Sequence, residues 1–309
     1  MINIYEAIAS NKRKSIFVVV GFMLFITLSI YFMSKAFSVY LDYDVGGFGV
    51  VGIALIISGL MSFGGYYFSD RIVLGISKAR PADRTRDRLF YTVAENLSIA
   101  TGMPMPKLYV IEDTAPNAFA TGRDPKHAVI CVTTGLLDKL NRSELEGVVA
   151  HELSHVRHYD TRLMSIVVVL VGIVALLGDW FLRMSFFGRD RREKDSAQIG
   201  AILVVVGLLF AILSPIIAKL IQLAISRRRE FLADAGAIAI TRQPDGLISA
   251  LTKIAADKEP LEAANKATAH LYIENPFKDK GRGAVDWFSG MFNTHPPVEK
   301  RIDALRKMI

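Results

Sequence analysis

The sequence predicts an α-helical membrane protein with about four transmembrane helices, whose α+β domain is cut in two by the second helical pair. Three observations carry that reading. Of 309 residues, 51% are hydrophobic and only 22% charged, and the mean hydropathy of +0.33 is high for a soluble chain. Four apolar runs each reach or approach the ~20 residues that cross a ~30 Å bilayer core. Between and after them lie short β-branched runs and amphipathic helical patterns. This composition excludes intrinsic disorder. A lone cysteine, Cys131, excludes an internal disulfide and a thiolate-rich metal site, and suits a reducing compartment.

The apolar runs pair up. The first spans Ser15 to about Ser34 and the second roughly Val45 to Phe68; the third runs from Leu163 to about Leu182, the fourth from Ile199 to about Ile225. The first is too long for a secretory signal and lacks a clear small-residue cleavage site, so it reads as a retained anchor. Lys12, Arg13 and Lys14 precede it, and Arg71, Lys78, Arg80, Arg84, Arg86 and Arg88 follow the second run. The positive-inside rule then puts the N-terminus and everything after Phe68 in the cytoplasm, and Arg227, Arg228 and Arg229 agree. One loop disagrees: a spanning second hairpin would place Arg189, Arg191, Arg192 and Lys194 outside, so a shallow, non-spanning hairpin stays open. Asp179 beside Trp180 marks a membrane-interface boundary, and Lys219 either snorkels or marks the exit from lipid.

Outside the apolar runs, Ala82–Ala100 carries Leu89, Phe90, Val93 and Leu97 at helical spacing, with Gly102 as a stop. Lys107–Ile111 and Ala128–Val132 read as strands, and Asn117–Thr121 as a third, edge strand. Ser143 with Glu146 three residues on is a capping-box signature, opening a helix from Glu144 through His158. Arg227–Ile240 continues helical, Pro244 breaks it, and Leu247–Ala256 and Val298–Met308 are further amphipathic helices.

The chemistry concentrates on the helix before the third run. His151-Glu152-Leu153-Ser154-His155 is an H-E-x-x-H pattern. Residues four apart share a helix face, so both imidazoles can reach one metal ion while Glu152 stands about 100° around, within reach of a water beside it. Val148, Val149, Ala150, Leu153 and Val156 imply that this helix is buried, where two unpartnered histidines are costly. A catalytic zinc site needs a third protein ligand and an open fourth position. His158 stands about 10 Å along the axis from His151, too far to converge on one ion, and reads as a surface or interfacial histidine. Glu230 is the better candidate, because Asp234 four residues on can accept the remaining N–H of a ligand histidine. A solvated acidic pair beside the arginine cluster is the alternative.

His151–His155, Glu230-x-x-x-Asp234 and Thr294-His295-Pro296-Pro297 followed by Arg301 together resemble the HtpX family of membrane-embedded zinc endopeptidases, relatives of the prenyl-protein-processing proteases. The apolar hairpin between the two zinc motifs and the Pro116–Ala120 segment share the likeness, which covers essentially the whole chain; only in Glu259–Trp287 is nothing recognised. The resemblance implies a split, gluzincin-like zincin domain with one Zn2+ held by His151, His155 and Glu230, and Glu152 as general base. It also implies His295 and Arg301 as an auxiliary pair near the oxyanion, and Asn117, Ala118, Phe119 and Ala120 as an edge to which a peptide adds as a strand.

On this view 1–68 is a membrane hairpin and 69–160 the first catalytic segment, while 161–226 is a second hairpin and 227–309 the second catalytic segment. The implied role is protein quality control and stress response at a bacterial plasma membrane, on misfolded or damaged membrane proteins at the cytoplasmic face, with no nucleic-acid partner. A prenyl-protein-type processing protease and a catalytically silent zinc-binding scaffold remain as alternatives. The retained Glu152 argues against the scaffold, since binding zinc does not require it.

Overall fold

The computed structural model describes residues 4–41, 48–170, 172–173, 227–262, 268, 271–274, 276 and 296–308. The two N-terminal apolar runs form long helices, α1 (Ile4–Leu41) and α2 (Phe48–Ile76). Both are long and apolar enough to cross a membrane, and among the described residues they are the two that are. The helix α1 starts well before Ser15, because no breaker separates the basic turn from the apolar run. Between α1 and α2, Thr27 Oγ1 and Ser58 Oγ share a hydrogen bond of 3.3 Å, the kind of polar contact that joins helices in an apolar setting.

A four-stranded sheet follows, β1 (Arg80–Pro81), β2 (Lys107–Ile111), β3 (Ala118–Thr121) and β4 (Val129–Thr133), in the order β1-β2-β4-β3. Strands β2 and β4 are parallel; β1 on β2 and β3 on β4 are antiparallel. The sheet is covered on both sides. Val110, Ala120, Ile130 and Val132 pack with α3 (Arg88–Thr101) and α5 (Arg142–Arg157), while Ile111, Phe119, Val129 and Cys131 pack with Val73 and Leu74 of α2 and with Met164 and Val168. That alternation is the two-residue period of a strand with two buried faces. A short α4 (Thr134–Lys139) joins β4 to α5.

The start of the third run is helical (α6, 160–170) and packs Leu163, Ile166, Val167 and Leu170 against Val18, Phe22 and Ile26 of α1. The rest of that run beyond residue 173, Asp179 and Trp180, the 189–195 loop, the fourth run with Lys219 up to residue 226, and most of 259–287 lie outside the described residues. The helices α7 (Arg227–Thr241), α8 (Pro244–Ala256) and α9 (Val298–Arg306) complete the fold around α5. At α5 the backbones come close. A methyl group on Gly147 would stand 2.8 Å from the Leu247 nitrogen, and one on Gly236 would stand 2.5 Å from Ser154 Oγ.

Four local expectations need correction. The helix α3 begins at Arg88, not near Ala82: Arg80 and Pro81 are held as a strand, and Asp83 Oδ1 accepts the Thr85 and Arg86 N–H groups in a tight turn. Asn141, not Ser143, caps α5. Asn141 and Glu144 form the reciprocal capping box, a second match to the same spacing two residues earlier. His158 is buried at the end of α5, so of its two readings, surface or interfacial, the surface one falls. Strand β3 does sit at the edge of the sheet, but it is buried throughout. Its Ala118 carbonyl accepts the Ile273 N–H at 2.9 Å, and the Asn117 amide bonds the Glu274 backbone, so the 271–274 segment covers that end.

Candidate metal centre

The helix α5 carries both histidines inward, and both are buried. Their Nε2 atoms face each other at 3.2 Å, with the rings nearly perpendicular. Glu230, on the first turn of α7, lies across from them: its Oε2 is 3.7 Å from His151 Nε2 and its Oε1 3.6 Å from His155 Nε2. One ligand atom from each of the three lies within 4.8 Å of the others. Two nitrogens bound at ~2.0–2.1 Å to one tetrahedral zinc stand about 3.3 Å apart, so the histidine pair already has the spacing of such an edge.

The opposite ring nitrogens are held by carboxylates. His151 Nδ1 is 2.9 Å from Asp234 Oδ1, and His155 Nδ1 is 3.0 Å from Asp160 Oδ2. Each carboxylate accepts Nδ1–H and thereby leaves the Nε2 lone pair for a metal. Asp160 reaches His155 through a turn at Tyr159, whose backbone has φ 60, a left-handed value uncommon for a bulky residue. Asp234 is clamped in turn by Arg301, a fully buried residue of α9, whose Nε and Nη2 donate to its two oxygens at 2.9 and 2.7 Å. The same guanidinium donates to the Ile273 carbonyl and stands 3.7 Å from Glu230 Oε2.

Electrostatics suits a dication. Burial pushes His151 down to about 4, helped by repulsion from Arg301 and His155, against the pull of the Asp234 carboxylate. Burial also opposes charge on His155, but Asp160, Glu230 and Glu152 outweigh it and raise it to about 9. Asp234 is also disfavoured as an anion by burial, yet Arg301 and His151 hold it at about 2. Four buried carboxylates (Glu152, Glu230, Asp234 and Asp160) face two buried guanidiniums (Arg229 and Arg301), a formal excess of two negative charges with both imidazoles neutral, as ligands would be. Glu152 lines a narrow cavity with His151, His155, Glu230, Ala120 and Tyr272, with space for about one water-sized molecule.

The residues singled out from the sequence fall as follows. His151, Glu152, His155, Glu230, Asp234 and Arg301 come together, and Ala120 of β3 joins them at the cavity. Arg301 is engaged by Asp234 and does not project free into the cavity. His295 lies outside the described residues. Sequence reasoning missed Asp160. Asp160 is five residues from His155, one residue too far for the same helix face, and only the Tyr159 turn brings it round.

A buried His–His–Glu cluster, with a carboxylate behind each imidazole and an acid beside it, defines a metallopeptidase. The model of peptidase family M48 matches residues 84–309, and the chain belongs to that family, in its HtpX group. A "Protease HtpX homolog" of Dictyoglomus turgidum is 45% identical over 304 residues, covering 98% of this chain and 94% of its own. Proteins of the same name from Caldanaerobacter subterraneus (42% over 307 residues, 99% and 98% covered) and Streptococcus uberis (38% over 308 residues, 99% and 100% covered) are similar throughout. Among solved structures, S. mikatae Ste24p superposes with TM-score 0.47 and 18% identity, over 89% of this chain and 61% of its own, a likeness too slight to inform the site.

Proposed function

We propose that this metalloprotease is a membrane-inserted zinc endopeptidase that cleaves unfolded or damaged membrane proteins at the cytoplasmic face, with His151, His155 and Glu230 as ligands. The observation that carries the reading is the convergence of those three side chains beside Glu152 in one buried cavity. Zinc, when bound, supplies Lewis acidity, lowering the pKa of a water toward ~7 and polarising the scissile carbonyl. Glu152 takes the proton of the attacking water and delivers it to the leaving amine. Asp234 and Asp160 hold the imidazoles in the ligating tautomer. Arg301, engaged with Asp234, acts by fixing that carboxylate, and the oxyanion role falls to His295.

The edge strand supports peptide presentation. The Thr133 N–H donates to the Asn117 carbonyl, so in the antiparallel ladder 117, 119 and 121 bond inward to β4, while Ala118 and Ala120 turn their backbone groups outward. An extended peptide pairs there with little regard to its sequence, displacing the Ile273–Ala118 bond of the 271–274 cover, and lies beside the cavity at Ala120. Membrane insertion is supported by the outer faces of α1 and α2, where Ile16, Phe17, Leu24, Leu28, Ile56, Leu60 and Phe63 all stand exposed. Monomeric soluble proteins rarely expose contiguous apolar faces to water. The proposed divisions are 1–68 as the first hairpin, 69–160 and 227–309 as the two catalytic segments, and 161–226 as the second hairpin.

The test uses the full chain purified in detergent with an unfolded protein such as casein. Chelation should abolish cleavage, and stoichiometric zinc should restore it with one ion per chain. Cleavage that survives complete removal of metal would sink the reading.

A further inference from the structure

We propose that Asn11, on the first membrane helix, is a positioning residue of the metal centre: its amide holds Asp160 against His155, so α1 is a working part of the site and not only an anchor. The inference rests on the zinc reading above. Asn11 lies one turn before the apolar run at Ser15 and is 2% exposed. Its Nδ2 donates to Asp160 Oδ1 at 2.6 Å and to the His158 carbonyl at 3.0 Å, while its Oδ1 accepts from Arg229 Nη1 at 3.0 Å. Two acceptors on one side and a donor on the other fix the amide's orientation unambiguously.

Every partner of that amide adjoins the metal centre. His158 ends the helix of the two histidines, Arg229 precedes Glu230, and Asp160 supports His155. Arg229 Nε also stands 3.3 Å from Asp160 Oδ1, so one oxygen of this carboxylate is fixed by Asn11 and Arg229 and the other by His155 Nδ1. A carboxylate held at both oxygens cannot swing, and it therefore sets the direction in which His155 presents Nε2. An amide is the side chain that fits. An aspartate would set like charge against Asp160, and an apolar residue would leave buried Asp160, Arg229 and the His158 carbonyl each short of a bond.

Simple packing of α1 on the domain makes a different prediction. Ser15, on the next turn and equally buried, donates its hydroxyl to the Asn11 carbonyl within the same helix and not to a residue of the centre. Zinc affinity of the metal-stripped full chain, read by competition with a chelator, separates the two. Asn11→Ala should weaken zinc binding about 10–100-fold, the range for loss of a group that orients a ligand, while Ser15→Ala stays within about twofold. Asn11→Ala added to Asp160→Asn should cost no more than Asp160→Asn alone, since both act through one carboxylate. Should Asn11→Ala not fold, the isosteric Asn11→Asp carries the same expectation. Wild-type affinity in the Asn11 variant, an equal loss in Ser15→Ala, or losses that multiply in the double variant would each overturn the proposal. A wild-type chain that binds no zinc overturns the metal reading itself, and the inference with it.

Discussion

Asp234 shows how single residues divide the work at this centre. It touches His151 on one side and Arg301 on the other, all three nearly free of solvent. Asp234→Ala should therefore weaken zinc about 10–100-fold without abolishing it, whereas Glu230→Ala should lose most of the metal; isothermal titration on the stripped protein distinguishes the two. Full-affinity binding by Glu230→Ala would move the third ligand elsewhere. The proposed site is legible in the sequence because its spacing is local: four residues separate His151 from His155, and four separate Glu230 from Asp234, one helical turn each. Asn11 leaves no such trace, since its partners lie 147 to 218 residues away. Arg301 is legible as a site residue, but its attachment to Asp234 depends on how α9 docks, which no spacing reports.

Elements set how closely those residues approach. Helix α5 lies backbone to backbone against α8 at Gly147, so Gly147→Ala forces the two apart. The substitution favours an isolated helix by about 1 kcal/mol, yet in this fold it should lower stability by about 1–3 kcal/mol, as overpacking does; urea unfolding in detergent reads the sign. Ala120→Pro removes an outward N–H of β3 without touching a ligand, so it should keep zinc and lose peptide cleavage. Cleavage at the wild-type rate by a folded Ala120→Pro protein would end the edge-strand account. Sequence periodicity located β2, β3, β4 and the helix of the histidines, but not the cover on β3. That cover comes from residues some 155 positions further on, in a stretch without recognisable pattern. The displaced N-cap has a plainer cause: two capping-box matches overlap at Asn141 and Ser143, and only tertiary contacts choose between them. Ser249 and Lys253 of α8 bond Glu144, which selects the earlier box.

For the molecule as a whole, that same Glu144 ties stability to pH. Burial disfavours its charge, but Lys253, Ser249 and the Asn141 N–H outweigh burial and hold it below its ordinary 4.5. A carboxyl depressed in the folded state contributes stability above that ordinary value and loses it as pH falls through the folded one. The unfolding midpoint should thus drop as pH falls below about 4.5, and less steeply in Glu144→Gln. Membrane topology is read from charge: a reporter fused after Ile309 should be cytoplasmic, and alkaline phosphatase activity there would overturn the placement. The second hairpin is read from the apolar pattern of the third and fourth runs. The most direct measurement is zinc content together with casein cleavage for wild type and Glu152→Gln in parallel. The amide leaves His151, His155 and Glu230 untouched but cannot accept a proton from water, so both proteins should hold one zinc while the variant loses cleavage by several orders of magnitude. Near-normal cleavage by Glu152→Gln, or no zinc in the wild type, would contradict the account.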